Sequence, residues 1–181
     1  MCGITGFLNS SCNYSTEKLD GIINSMSHSM HRRGPDDQGS WVDASAGLAL
    51  GHRRLSIMDL SAEGHQPMAS QCGRYQLILN GEIYNYRLLR DELDKENAGV
   101  IWRGHSDTEV LIASIAHWGL EVAVKKCIGM FAFTLWDTEE RLLHLVRDRM
   151  GIKPLYYGRA DGLFIFGSEL KPFRHHPDFK R

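Results

Sequence analysis

Strand patterns lie at both ends of this sequence and helix patterns fill its middle, and this order restricts the fold more than any other feature. Near the C-terminus, MFAFTLWD and LLHLVRD are joined by a tight TEE turn, and LYYG and LFIFG are joined by RADG. Both pairs read as β-hairpins. Hairpins build antiparallel sheets, whereas a doubly wound parallel sheet needs a helix between consecutive strands. Together with apolar strand patterns over residues 2–9 and 47–59, they predict an α+β layer fold with antiparallel sheets.

Capping residues mark the ends of the predicted helices. Apolar residues recur at helical spacing over residues 16–30, after which Gly34-Pro35 lies in the polar segment RRGPDDQG, predicted to be a loop. A Ser106-x-x-Glu109 capping box opens another helix that Gly119 closes, and a short helix is predicted over residues 120–127.

The segment YQLILNGEIYN, residues 75–85, is an apolar strand pattern that contains Asn80-Gly81. Asn-Gly most often forms a two-residue hairpin turn, so the strand is predicted to break there. Asn85 can then cap the next helix, whose core face is predicted to consist of Leu88, Leu89 and Leu93.

The composition is that of one globular domain and excludes several classes of function. Of the 181 residues, 43% are hydrophobic and 24% are charged, and the net charge is −1. Because no dense Lys/Arg run and no span-length apolar stretch occurs, neither nucleic-acid binding nor membrane insertion is predicted. The four cysteines form no CxxC pair, and His28-x-x-His31 has no third ligand placed with it, so no metal site is predicted. Free thiols favour a reducing, cytoplasmic setting.

The first residues, MCGITGFLN, place a cysteine directly behind the initiator methionine. Because cysteine is small, Met1 is expected to be removed after translation, leaving Cys2 with a free α-amine beside its thiol. A nucleophile that carries its own general base is the arrangement of N-terminal threonine hydrolases, here with sulfur in place of oxygen. The alternative is that Cys2 has no chemical role, and these residues alone leave both interpretations open.

Further motifs extend over almost the whole chain and resemble one family. They are MCGI, HRRGPDDQG, GHRRLSIMDL, NGEIYN, SDTEV, GMFAF, RDRMGIKPLYY and GSELK, in this order. The sequence resembles the N-terminal glutaminase domain of class II glutamine amidotransferases, and is most similar to the glutamine-hydrolysing asparagine synthetase branch. The resemblance implies an N-terminal-nucleophile hydrolase-like four-layer αββα sandwich with two antiparallel sheets, and a single glutaminase domain over residues 1–181.

The same resemblance implies a set of site residues. Cys2 would be the nucleophile, and Asn80 and Gly81 would form the oxyanion hole. Arg54, rather than Arg53, would bind the α-carboxylate of L-glutamine, and Asp107 its α-ammonium group. The other substrate-binding positions that it implies are Leu55, Ser56, Ile57, Met58 and Glu82.

Arg54 and Asp107 also have interpretations without function. Arg54 could be a surface arginine, and Asp107 lies in the first turn of a helix, where an acidic residue is favourable in any protein. Arg32, Arg33 and Asp36 are expected either to order a loop over the pocket or to be purely structural. The last motifs contribute residues expected to form an interface or scaffold, namely Arg147, Asp148, Lys153 and Glu169.

The activity that the resemblance implies is hydrolysis of L-glutamine to glutamate and ammonia through a Cys2 thioester, with no cofactor in this domain. Full-length asparagine synthetases continue into an ATP-dependent domain with a Ser-Gly-Gly-x-Asp-Ser loop, which does not occur here. ATP and Mg are therefore expected only on that C-terminal synthetase domain, which is absent from this chain, or on a partner subunit. Aspartate is the expected ammonia acceptor, with a sugar or another carboxylate as the alternative.

Two interpretations from other classes of function stay open. Association of the chain into a homodimer is also left open. A catalytically silent regulatory domain is disfavoured because Cys2, Arg54, Asn80, Gly81 and Asp107 are all retained. A redox or metal protein is disfavoured by the absence of paired ligand spacing.

Overall fold

The computed structural model describes residues 1–11, 13–56 and 62–179, and within these ranges the strands form two antiparallel sheets. The strands are β1 (Gly3–Asn9), β2 (Asp37–Asp43), β3 (Leu48–Arg54), β4 (Met68–Ala69), β5 (Tyr75–Ile83), β6 (Gly129–Asp137), β7 (Leu142–Arg147), β8 (Tyr156–Ala160) and β9 (Leu163–Gly167). One sheet has the order β2-β3-β1-β9-β8 and the other the order β4-β5-β6-β7. Both C-terminal hairpins, β6 with β7 and β8 with β9, are confirmed.

Helices cover the outer face of each sheet. They are α1 (Thr16–Ser29), α2 (Tyr86–Lys95), α3 (Asp107–Trp118) and α4 (Leu120–Lys126), with short 3₁₀ turns at Ala62–Gly64 and Lys171–His175. Helix α1 packs on the five-stranded sheet, and α3 packs on β5 of the four-stranded sheet. The side chain of Ser106 caps α3 by accepting a hydrogen bond from the N–H of Glu109, and Gly119 ends the helix.

Alternation along the strands divides the interior into three apolar layers. In β5, Leu77 and Leu79 point toward α2–α4, whereas Ile78 between them points toward the other sheet. In β1, Phe7 packs under α1 and Ile4 faces the opposite sheet. Since side chains on a strand alternate between its two faces, each sheet contacts a helical layer on one side and the other sheet on the other. The four-layer αββα sandwich is therefore confirmed.

Three local predictions are wrong. Residues 37–39, predicted to be loop, begin β2, where they pair with the end of β3. The Asn80-Gly81 pair does not break the strand, because β5 continues to Ile83 and pairs with β6 throughout. Leu88 is 68% exposed, so the core face of α2 consists of Leu89 and Leu93 without it.

Close approach of two strands explains the glycine inside β5. A Cβ atom on Gly81 would lie 2.3 Å from the carbonyl oxygen of Met130 in β6. Asn85 does stand at the N-cap of α2, but its side chain bonds the Lys126 carbonyl and the Ile128 N–H instead of the helix end. These tertiary contacts override the local turn and cap signals.

Among the described residues, no helix is long and apolar enough to cross a membrane. Over those same ranges, no group of three or more His, Cys, Asp or Glu side chains could hold a metal ion.

Candidate active site

A cleft opens where the start of β1, the end of β3, the second half of β5 and the start of α3 meet. Its empty volume, counted out to the open mouth, is about 630 Å³. The residues lining it are Met1, Cys2, Arg54, Leu55, Gly64, Gln66, Leu79, Asn80, Gly81, Glu82, Ser106, Asp107, Thr108 and Lys153. Strands β1 and β3 pair antiparallel with Gly3 opposite Arg53. The start of β1, which follows Cys2, therefore lies beside the end of β3, which carries Arg54.

Cys2 is half-buried and held by contacts from both sides. Its Sγ lies 3.7 Å from the carbonyl oxygen of Leu55 and accepts a hydrogen bond from the Leu55 N–H at 3.4 Å. The Nε of Arg33 donates to the Cys2 carbonyl at 2.9 Å. These contacts fix the thiol in the cleft wall, so Leu55 and Arg33 both position Cys2.

The two arginines at the end of β3 point in opposite directions. Arg54 is buried and lines the cleft, on the same face of the strand as His52. Arg53 turns to the other face, where it donates to the Gly34 carbonyl at 2.8 Å and to Gln38 Oε1 at 2.6 Å. Of the two, the structure places Arg54 and not Arg53 in the cleft.

Gly64 provides the space that the Arg54 guanidinium occupies. A Cβ atom on Gly64 would lie 2.1 Å from Arg54 Nη2. Any side chain at this position would therefore displace the guanidinium from its place in the cleft wall.

Asn80 and Gly81 lie side by side in the wall formed by β5. Asn80 is 1% exposed, and its Nδ2 lies 3.5 Å from Ser168 Oγ. Its Oδ1 has no hydrogen-bond partner among the described residues. The Asn80 amide nitrogen is held on a rigid strand and carries two protons, one more than its contact with Ser168 uses. Such a group is suited to donate a hydrogen bond to a developing oxyanion.

Asp107 is the first residue of α3, and its carboxylate is buried. Its Oδ2 accepts from the N–H of Ile83 at 2.8 Å, which ties the end of β5 to the start of the helix. Burial raises the pKa of Asp107 above its ordinary value, and the nearby Glu82 carboxylate adds to the shift, while the N–H groups of Ile83 and Thr108 oppose it. None of the ion pairs within the described residues involves Asp107, and a carboxylate in such a place is chemically able to pair with a cationic group.

Most of the residues expected at the site meet in this one cleft, but not all. Those brought together are Cys2, Arg54, Leu55, Asn80, Gly81, Glu82 and Asp107. Ser56 does not line the described part of the cleft, and its N–H donates instead to the Asp36 carboxylate at 2.8 Å. Ile57 and Met58 lie outside the described residues.

Lys153 was expected at an interface or in the scaffold, but it lines the cleft. It is 5% exposed, and its Nζ lies 3.6 Å from the Sδ atom of Met1. Asp148 holds its loop in place by accepting from the N–H groups of Phe131 and Lys153, among others. Burial by itself raises the pKa of Asp148, but these hydrogen bonds outweigh it, and the pKa lies below its ordinary value. Asp148 is thus part of the scaffold, as expected.

Gln66 is a cleft residue that the sequence analysis missed. Its Oε1 accepts from the Leu79 N–H at 2.6 Å, and its Nε2 donates to Thr108 Oγ1 at 3.2 Å. It therefore connects the strand that carries Asn80 to the first turn of α3. No motif in the sequence indicated this, because the contact joins three segments that are distant in the chain.

Comparisons with known proteins give matches over almost the whole chain. A family model described as a glutamine amidotransferase domain matches residues 1–181. Asparagine synthetase [glutamine-hydrolyzing] 3 of Bacillus subtilis is 40% identical over 99% of this chain and 28% of its own length. A putative asparagine synthetase [glutamine-hydrolyzing] of Mycobacterium tuberculosis is 42% identical over 94% of this chain and 27% of its own.

A solved structure shares the fold at low sequence identity. The glutamine phosphoribosylpyrophosphate amidotransferase of B. subtilis superimposes with a TM-score of 0.78 at 22% identity, over 96% of this chain and 43% of its own. The chain spans less than a third of the length of the two synthetases.

Proposed function

This chain belongs to the glutamine amidotransferase family, and from that premise we propose that it hydrolyses the side-chain amide of free L-glutamine, yielding glutamate and ammonia. The observation that carries this proposal is the convergence of Cys2, Arg54, Asn80, Gly81 and Asp107, from distant parts of the sequence, on one cleft.

The chemistry begins at Cys2. Removal of Met1 would leave its α-amine free to take the thiol proton, and the sulfur would then attack the amide carbon of glutamine. The amide carbonyl becomes an oxyanion that accepts hydrogen bonds from the Asn80 side chain and the Gly81 N–H. Loss of one such donor typically lowers turnover by about 10²–10³.

Collapse of this intermediate breaks the C–N bond. The α-amine gives its proton to the leaving nitrogen, so ammonia departs and a γ-glutamyl thioester remains on Cys2. A water molecule, deprotonated by the same amine, then attacks the thioester, which releases glutamate and restores the thiol. All of these steps are proton transfers and acyl transfers, so the proposal requires no metal or cofactor in this domain.

Arg54 and Asp107 would select free glutamine by pairing with both of its α-charges. A guanidinium holds a carboxylate through two parallel hydrogen bonds, and a buried carboxylate is a suitable partner for an ammonium group. The first-turn interpretation of Asp107 does not account for its place in the cleft wall. Glu82, in the same wall, would add negative charge on the ammonium side.

The ammonia would be consumed elsewhere. Because the synthetases matched by this chain are more than three times as long as the matched part, we propose an ATP-dependent synthetase domain or partner subunit as the consumer, with aspartate as the acceptor and ATP and Mg bound there. Cys2, Cys72 and Cys127 are free, and a reactive thiol would be preserved best in a reducing compartment such as the cytoplasm.

Ammonia release from a set of glutamine analogues tests the proposal. L-glutamine should be hydrolysed, whereas N-acetyl-glutamine and glutamine α-amide should be poorer substrates by at least about a hundredfold in kcat/KM, because each loses one charge-assisted contact, with Asp107 or with Arg54 respectively. Asparagine is one methylene shorter and should not react. Comparable turnover of the capped compounds would show that Arg54 and Asp107 do not bind the two α-charges.

A further inference from the structure

Ser168 directly follows β9 and lies against the beginning of β1. It is 1% exposed. Its N–H donates to the Ile4 carbonyl at 2.8 Å, and its Oγ accepts from the Ile4 N–H at 3.0 Å. Ser168 is therefore fixed to the strand that begins beside Cys2.

The same hydroxyl also reaches the other sheet. Its Oγ lies 3.5 Å from Nδ2 of Asn80, and within the described residues this is the contact that holds the Asn80 amide, since Oδ1 has no partner there. A hydroxyl oxygen has two acceptor positions, which Ile4 and Asn80 together fill. An amide nitrogen carries two protons, so one N–H of Asn80 stays available for a ligand in the cleft.

We propose that Ser168 is a positioning residue for glutamine hydrolysis, because its hydroxyl fixes the Asn80 amide relative to Cys2. This inference rests on the proposed function. The Ser168 Oγ atom connects β1, which begins beside Cys2, to β5, which carries Asn80. The distance between Cys2 and the Asn80 amide is thereby fixed, although the two strands belong to different sheets. The 3.5 Å contact is long, as catalytic hydrogen bonds often are before the substrate binds and they tighten.

Thr5 offers a matched control for the structural part of this role. Its Oγ1 donates to the Phe166 carbonyl at 3.0 Å, so it is a second buried hydroxyl that joins β1 to β9. Thr5 lies outside the cleft lining. Thr5→Val and Ser168→Ala therefore both remove a buried hydroxyl that joins β1 to the end of β9 or the residue just after it, but only Ser168→Ala affects the Asn80 amide.

The test measures kcat and KM for ammonia release in wild type, Ser168→Ala, Asn80→Ala, the double variant and Thr5→Val. Ser168→Ala should lower kcat about 10- to 100-fold with KM within about twofold, because its effect appears as the oxyanion forms. In the Asn80→Ala background, Ser168→Ala should not lower kcat any further, since Ser168 acts through Asn80. Thr5→Val should keep the wild-type kcat.

Three results would overturn the inference: equal kcat in Ser168→Ala and wild type, a full additional loss in the double variant, or an equal loss in Thr5→Val. If Ser168→Ala does not fold, Ser168→Cys keeps a side chain of similar size with a poor acceptor and gives the same readout. Failure of the proposed function is visible separately, because wild type would then release no ammonia or Asn80→Ala would keep full turnover.

Discussion

The buried histidine behind the cleft, His52, should make the fold sensitive to acid. His52 is 1% exposed, and its Nε2 lies 3.1 Å from the Leu79 carbonyl. A carbonyl can only accept, so Nε2 carries the proton of the neutral ring, and Nδ1 has no partner among the described residues. A proton added at Nδ1 would place an unsolvated charge between the two sheets. Burial accordingly lowers the pKa of His52 from 6.5 to about 4.

The size of the effect follows from this shift. The pKa falls from 6.5 to about 4, and each pKa unit corresponds to about 1.4 kcal/mol, so neutral His52 contributes about 3–4 kcal/mol to the free energy of unfolding relative to protonated His52. Above pH 6.5 that contribution is fully present. As the pH falls from 6.5 toward 4, the unfolded chain binds the proton and the folded chain does not, so the contribution is lost. Domains of this kind have total stabilities of about 5–15 kcal/mol, so the loss is a substantial part.

Urea unfolding at pH 7 and pH 4.5 measures this contribution. Between pH 7 and pH 4.5, the free energy of unfolding of wild type should fall by about 2–3 kcal/mol more than that of His52→Gln. The glutamine keeps an N–H donor for the Leu79 carbonyl but cannot titrate. Other titrating groups are common to both proteins and cancel in the comparison. The matched control is His28→Gln, which replaces an exposed histidine and should behave as wild type. If His52→Gln and wild type lose the same stability, the argument from burial is wrong.

Three further predictions concern the cleft. Arg54→Lys should raise KM for glutamine strongly because the two-pronged contact is lost, whereas Asn80→Ala should mainly lower kcat; kinetics with the opposite assignment would mean that the two roles are exchanged. Gly64→Ala should raise KM about tenfold by displacing the Arg54 guanidinium. Gly21→Ala is the control and should leave KM unchanged, because its added Cβ meets nothing within 4 Å; equal KM in the two variants would refute this account. Burial raises the pKa of Asp107, and only the ionised carboxylate binds ammonium, so kcat/KM should begin to fall at a higher pH than the titration range of an ordinary aspartate. If the same decrease persists in Asp107→Asn, it belongs to another group.

Local patterns predicted most elements, and they failed where distant segments decide. The hairpins, α1 and α3 follow from periodicity and capping, which are properties of neighbouring residues. Asn80-Gly81 was expected to turn, but pairing with β6 along the whole strand outweighs the local preference. Leu88 was assigned to the core because leucine is apolar, although the outward face of α2 exposes it.

The site shows the same division. Alternation along β3 is sufficient to separate Arg54 from Arg53 once the inner face is known. Lys153 and Gln66 could not be assigned in this way, because their positions in the cleft depend on a loop held by Asp148 and on contacts that join β5 to α3.

The central claim is that Cys2, at the N-terminus of the mature chain, is the nucleophile. The most direct test is the intact mass and peptide map of purified, active protein before and after reaction with an electrophilic glutamine analogue. The mass should correspond to a chain that begins at Cys2, and one adduct should form, on Cys2, blocked by free L-glutamine and absent in Cys2→Ser. Full activity with Met1 retained, or an adduct on the exposed Cys72 in place of Cys2, would contradict the claim.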